Sequence, residues 1–339
     1  MAKDFIMAFS RVIFALAFFL SISMPGAQAS RGDLIAALET ARKAFELSEY
    51  TKAAQILEDA ASSDPQNAEI QYWLLRSYFE LEQSDKAVRS GERAVALAPQ
   101  NSEYHHWLGK AYGEKADRAM WFSALSLARK AHREFETAVQ LDGRNFAARQ
   151  DLIEYLCRAP GIAGGNDERA GVQIAELAVM DAAEGHFARG NCRRQKKDFL
   201  GADAEFASAL EASPKSADLI YDIGDYAMKR SQPDRLLAVA EVGQKTDPAD
   251  PRGDFYRALA FILRGEQPEE AEHLLRRYLK HARVRSDFPR LSAVHNWLGR
   301  LLEQQGKTAA AVTEYQAAIE LDPKDKTAKE ALKHLAKIR

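Results

Sequence analysis

The stretch HHWLGKAY at residues 105–112, read beside AVTEYQAAIELDP at residues 311–323, decides the fold. In the first, His105, Leu108, Gly109 and Tyr112 set a large residue, a leucine, a glycine and an aromatic at the spacing of one helix face. In the second, Ala311, Tyr315 and Ala318 repeat that spacing and Pro323 ends it. The second pattern returns as Ala53, Leu57, Ala60 and Pro65, then as Ala87, Gly91, Ala94 and Pro99. It returns again as Ala202, Phe206, Ala209 and Pro214, and as Leu236, Ala240, Gly243 and Pro248. Pro65 and Pro99, like Pro214 and Pro248, stand 34 residues apart. A fixed period of this length means one supersecondary unit stacked on copies of itself.

The residue types say what the unit is. Small residues let two helices of a hairpin approach closely, a large apolar residue one turn on fills the gap, and proline cannot continue the helix it follows. Asp64-Pro65, Asp247-Pro248 and Asp322-Pro323 are the helix stops this predicts. The first helix of each hairpin is marked by Leu74 and Tyr78, Leu108 and Tyr112, Ile223 and Gly224, and Leu298 and Gly299. Trp73, Trp107 and Trp297 each precede the leucine and are expected to pack between neighbouring copies. The expected copies lie near 34–65, 68–99, 102–143, 146–182, 183–214, 217–248, 252–285 and 292–323. The copies at 146–182, 183–214 and 252–285 are degenerate, and local opening is expected near 183–214. The last segment, 324–339, reads as an amphipathic capping helix with Ala328, Ala331, Leu332 and Leu335 inward.

The first 29 residues read as a secretory signal peptide. Lys3 and Arg11 are basic, Val12 to Leu20 is apolar, and Ala27-Gln28-Ala29 is a small-x-small cleavage site before Ser30. No cysteine stands there to take a lipid, so the expected destination is the periplasm, without membrane insertion after cleavage. The formal net charge of -2 argues against a nucleic-acid partner, which needs a concentrated basic face.

No catalytic, metal or cofactor pattern is found. The loop Gly161 to Gly165 lacks the Lys-Ser/Thr ending of a phosphate-binding loop and joins two helices. His105 and His106 are adjacent and point about 100 degrees apart on a helix. Glu270 and His273 have the spacing used in carboxylate-metal bundles, but a second such pair is missing.

These motifs resemble the tetratricopeptide repeat over nearly all of the chain after the signal. The resemblance implies an all-α, right-handed α-solenoid of about eight helical hairpins with a C-terminal capping helix. It implies a non-enzymatic scaffold that holds a protein or peptide in a concave groove lined by first helices. Secreted bacterial members look like assembly factors of the envelope. On that face Arg42, Arg76 and Lys110 recur one repeat apart, with Tyr72 and His106 in one neighbouring column and Phe45 and Phe79 in another. Basic groups flanked by aromatics suit an acidic peptide or a C-terminal carboxylate, to be held by Arg42, Arg76, Lys110, Tyr72, Phe79 and His106. The same column could instead grip an anionic polysaccharide. Further along it reads Glu154, Asp225 and Arg300, so one end of the groove is basic and the next acidic.

Copy four departs from the family pattern by carrying Ala159 to Asn166 between its helices, and two further features stand out. Copy three carries about ten extra residues, including Met120, Trp121 and Phe122, either a hairpin extension or a second partner contact. Cys157 and Cys192 fall on neighbouring first helices; sequence leaves open whether they are bridged or free.

Overall fold

Each turn that closes one hairpin also starts the next. Two residues beyond Pro65, Pro99 and Pro214 stand Asn67, Asn101 and Ser216, whose side chains accept hydrogen bonds from the backbone N–H groups of Ile70, Tyr104 and Leu219. Asn145 and Asp325 do the same for Ala148 and Ala328. Proline ends the outgoing helix, and the polar residue satisfies an orphan donor of the incoming one.

The computed structural model describes residues 31–282 and 284–338, so the 1–29 segment read as a signal peptide lies outside the described residues. The chain runs as helical hairpins: α1 (Arg31–Glu46) with α2 (Tyr50–Ser63), α3 (Ala68–Glu80) with α4 (Ser84–Leu97), and α5 (Ser102–Asp117) with α6 (Trp121–Leu141). Then come α7 (Phe146–Arg158) with α8 (Asp167–Met180), α9 (Ala182–Gln195) with α10 (Phe199–Glu211), and α11 (Ala217–Lys229) with α12 (Pro233–Thr246). The series closes with α13 (Arg252–Arg264) and α14 (Pro268–His281), α15 (Leu291–Gln304) and α16 (Thr308–Leu321), and a single α17 (Lys326–Ile338). Among the described residues there is no strand, and consecutive helices pack closely on one another, except that α10 and α11 meet mainly through side chains such as Phe206 and Tyr226; this is an α-solenoid of helical hairpins.

Within a hairpin the approach is set by glycine against an aromatic ring. A Cβ on Gly109 would fall 2.6 Å from Phe135, and one on Gly299 2.6 Å from Tyr315, closer than packed carbons come. Polar pairs repeat with the fold. His105, His186 and His295 each bond a glutamate of the second helix of their own hairpin, Glu134, Glu205 and Glu314, at 2.6, 2.8 and 2.7 Å. Between hairpins, the hydroxyls of Tyr78 and Tyr112 donate to Glu58 and Glu92 of the preceding copy.

The apolar interior divides. One cluster runs from Leu38 to Ala170, and another from Phe187 to Leu301. A small cluster of Ile153, Ile174, Leu177, Ala188 and Cys192 lies between them. There Cys157 of α7 and Cys192 of α9 form a disulfide, with Cα atoms 5.4 Å apart. The α17 helix covers the end of the stack by burying Ala328 and Leu335 against Leu302, Tyr315 and Ala318, while its lysines stay exposed. No helix among the described residues is long and apolar enough to cross a membrane.

Candidate functional site

First helices α3, α5, α7, α9 and α11 contribute side chains to one cavity of about 1010 Å³. Its basic wall is built from α3 and α5. The Arg76 guanidinium lies 3.7 Å from the centre of the Trp107 ring, and Lys110 Nζ lies 4.3 Å from it. Arg76 also donates to the Tyr72 hydroxyl at 2.8 Å. One tryptophan ring thus meets two cations at cation–π distance, and its quadrupole stabilises both charges at the wall.

Behind this wall lies a network of charged and aromatic groups. Glu103 accepts hydrogen bonds from Trp107 Nε1 at 2.9 Å and from the Tyr72 hydroxyl at 3.2 Å. Its carboxyl is held at about 2, first by the His106 ring, whose Nδ1 stands 4.0 Å away as an ion-pair partner. His106 Nε2 bonds Asp151 on α7 at 2.7 Å. Burial opposes the charge on His106, but Asp151 and Glu103 outweigh it and raise its pKa. Burial likewise pushes Asp151 up, while His106 and Lys110 outweigh that and hold its pKa below the usual range.

The residues read from sequence as groove-facing therefore separate. Arg76, Phe79, His106 and Lys110 line the cavity. Tyr72 and His106 are buried, 8% and 3% exposed, so they brace Arg76 and Asp151 rather than offering ring faces. Arg42 pairs with Glu69, lies 5.2 Å from Trp73, and is not part of the cavity lining. Met120, Trp121 and Phe122 stand 68%, 79% and 56% exposed at the α5–α6 turn, away from this lining.

Sequence reasoning missed Glu103, Asp151 and the wall position of Trp107. The signal was present for two of them: Glu103 and Trp107 are four apart, on one helix face. Trp73, Trp107 and Asp151 each stand six residues beyond the capping asparagine of their helix.

The other side of the cavity is acidic. Glu154, Asp222 and Asp225 share an adjoining recess of about 260 Å³ with Arg194 and Lys229. Asp222 is pushed up to about 7, first by burial within the channel, then by the carboxylates of Asp225, Asp218 and Glu154. Arg300 belongs to a separate hollow, 5.0 Å from the Trp297 ring.

The segment after α14 crosses the cavity. The Tyr50 hydroxyl donates to the Val284 carbonyl at 2.6 Å, while Arg285, Ser286 and Asp287 join the lining. Phe288 anchors the segment on the far side, buried with its ring against the guanidinium groups of Arg252 and Arg285.

Tetratricopeptide repeat family models match residues 44–111 and 263–326. No curated protein matches the chain. A thermophilic tetratricopeptide repeat protein of Thermus thermophilus is similar at 21% identity over 55% of this chain and 94% of its own, with a TM-score of 0.45. A tetratricopeptide repeat protein from Parabacteroides merdae is similar at 11% identity over 89% of this chain and 98% of its own, with a TM-score of 0.44. The first repeat domain of Spaghetti (RPAP3), solved with the HSP90 peptide SRMEEVD, is similar at 22% identity over 38% of this chain and 95% of its own, with a TM-score of 0.33. The matches near both ends, and the hairpins stacked between them, support the reading of this chain as a tetratricopeptide repeat protein, a fold that generally mediates protein–protein contacts.

Proposed function

We propose that the protein is a non-enzymatic scaffold or assembly factor of the bacterial envelope that holds an extended or C-terminal acidic peptide in its concave groove. The envelope location follows from the basic, apolar and small-residue pattern of residues 1–29. The observation that carries the reading is the pair Arg76 and Lys110, both held against the Trp107 ring at the wall of the cavity. Guanidinium and ammonium groups there take carboxylates, and the indole and Phe79 take the apolar part of a neighbouring residue. Arg42, held by Glu69, contributes less than these two. The acidic recess at Asp222 and Asp225 repels the same ligand, so a bound peptide has one favoured direction.

The test is affinity capture from an envelope extract with the chain lacking residues 1–29, beside a double variant, Arg76→Glu with Lys110→Glu. A partner retained by the first and lost by the second, with matching circular dichroism, supports the reading; equal retention refutes it. Capture that strengthens with the length of an anionic polysaccharide, and is indifferent to acidic peptides, would assign the groove to polymer handling instead.

A further inference from the structure

The first two copies interlock with the next through an aromatic pair. Phe45 meets Trp73 edge to face at 5.4 Å and 70°, and Phe79 meets Trp107 at 5.4 Å and 90°. One period beyond Phe79 the residue is Gly113, and the position corresponding to Trp107 is Asp151. Both members of the pair are lost at the same junction.

The space they would fill is open. A pocket of about 510 Å³ is walled by Gly113, Ala116, Ala128 and Ala131, with the rings of Phe135 and Tyr155 also lining it. A Cβ on Gly113 would meet nothing within 4 Å, whereas one on Gly109 in the same helix would strike Phe135. The pocket shares Phe79, Lys110 and Asp151 with the groove cavity, so the two adjoin. The carboxylates around it are engaged in part: Glu114 pairs with Arg118 at 3.0 Å and Asp151 with His106 at 2.7 Å.

We propose that this pocket receives one large aromatic side chain of the bound peptide, the ligand's ring standing where Phe45 and Phe79 stand in the earlier copies. The inference rests on the reading of the groove as a site for an acidic peptide and names the feature that selects among such peptides. Lys110 borders both spaces, so the aromatic residue lies within one or two positions of the ligand's acid. Because Glu154 lines the pocket as well, the acid points toward Arg76 and the ring toward α7.

Two fluorescein-labelled pentapeptides, Gly-Ala-Phe-Asp-Asp and Gly-Ala-Ala-Asp-Asp, test it by fluorescence anisotropy with the chain lacking residues 1–29. The phenylalanine peptide is expected to bind about tenfold more tightly or better, the range that burying one aromatic side chain supplies. In Gly113→Phe, which fills the pocket from within, that advantage is lost; in Gly113→Ala, which leaves it open, the advantage persists. Equal affinity of the two peptides for the unaltered protein, or an advantage that survives in Gly113→Phe, overturns the proposal while leaving the acidic-peptide reading intact. Binding of neither peptide, or binding unaffected by Arg76→Glu with Lys110→Glu, overturns that reading and this inference with it. Unchanged circular dichroism and a cooperative thermal transition establish that the glycine variants are folded.

Discussion

Ser286 donates to Glu80 twice, from its backbone N–H at 2.9 Å and from its hydroxyl at 3.1 Å, joining residues 206 apart in the chain. Both oxygens of one carboxylate on α3 are therefore engaged by the segment that follows α14.

Replacing Glu80 with Ala removes both acceptors at once. Hydrogen bonds to a charged acceptor contribute about 1.5–3 kcal/mol. Amide exchange at Ser286 is expected to accelerate at least tenfold, while exchange in α13 stays as it was. Unchanged protection of the Ser286 N–H would show that the contact does not hold the segment.

Glycine positions separate by what faces them. Gly299→Ala places a methyl 2.6 Å from the Tyr315 ring and is expected to cost about 1–3 kcal/mol in thermal unfolding. Gly113→Ala meets open space and is expected to be neutral or stabilising by up to about 1 kcal/mol through helix propensity. The reverse order of the two melting temperatures would contradict the packing described.

Stability is expected to fall as pH rises from about 6 to 8. The hydrogen bond to Glu134 raises the pKa of His105 first, assisted by the Pro99 carbonyl. Its contribution is complete below the unfolded value near 6.5 and disappears as pH climbs through the raised folded value. Asp222 acts in the same direction, because its carboxyl titrates at about 7 in the fold and near 3.8 when unfolded. Its ionisation weighs against the fold progressively between these two values. Asp222→Asn should therefore raise the melting temperature at pH 8 and leave it nearly unchanged at pH 4. Water reaches Asp222 inside the channel, so the gain is on the order of 1 kcal/mol, well below what the whole shift would imply. A gain of equal size at both pH values would point to packing instead of charge.

Serine at both Cys157 and Cys192 opens a loop of sequence separation 35 and is expected to cost about 3 kcal/mol. The loss should concentrate where the bond lies: faster amide exchange in α7 to α10, with α3 to α5 nearly unaffected. A uniform loss along the chain would mean that the solenoid unfolds as one unit.

The hairpins were legible because their contacts are local and repeated. Gly109 against Phe135 and Gly299 against Tyr315 are the spatial form of the small-and-large spacing in the sequence. The site was legible only in outline. Column arithmetic assigned Arg76, Lys110, Tyr72 and His106 to one helix surface, but depth along that surface depends on the neighbouring copy. Asp151, from the next hairpin, is what occupies His106, and Arg76 likewise turns onto Trp107 of the hairpin after its own. Gly113 lay in the Phe45 and Phe79 column, yet an absent side chain has meaning only once the surrounding walls are seen. Nothing periodic relates Glu80 to Ser286, so that contact had no sequence signal at all.

The crossing of the cavity by residues 284–288 makes access a question of topology as well as chemistry. A free chain end can slide beneath a bridge lengthwise, whereas the middle of a long polymer with bulky domains on either side has no way in until the bridge parts. For the peptide ligand proposed above, such a groove would favour tails over internal segments of equal charge, and release of an internal segment would follow the lifetime of the Glu80–Ser286 clasp rather than the strength of its own contacts.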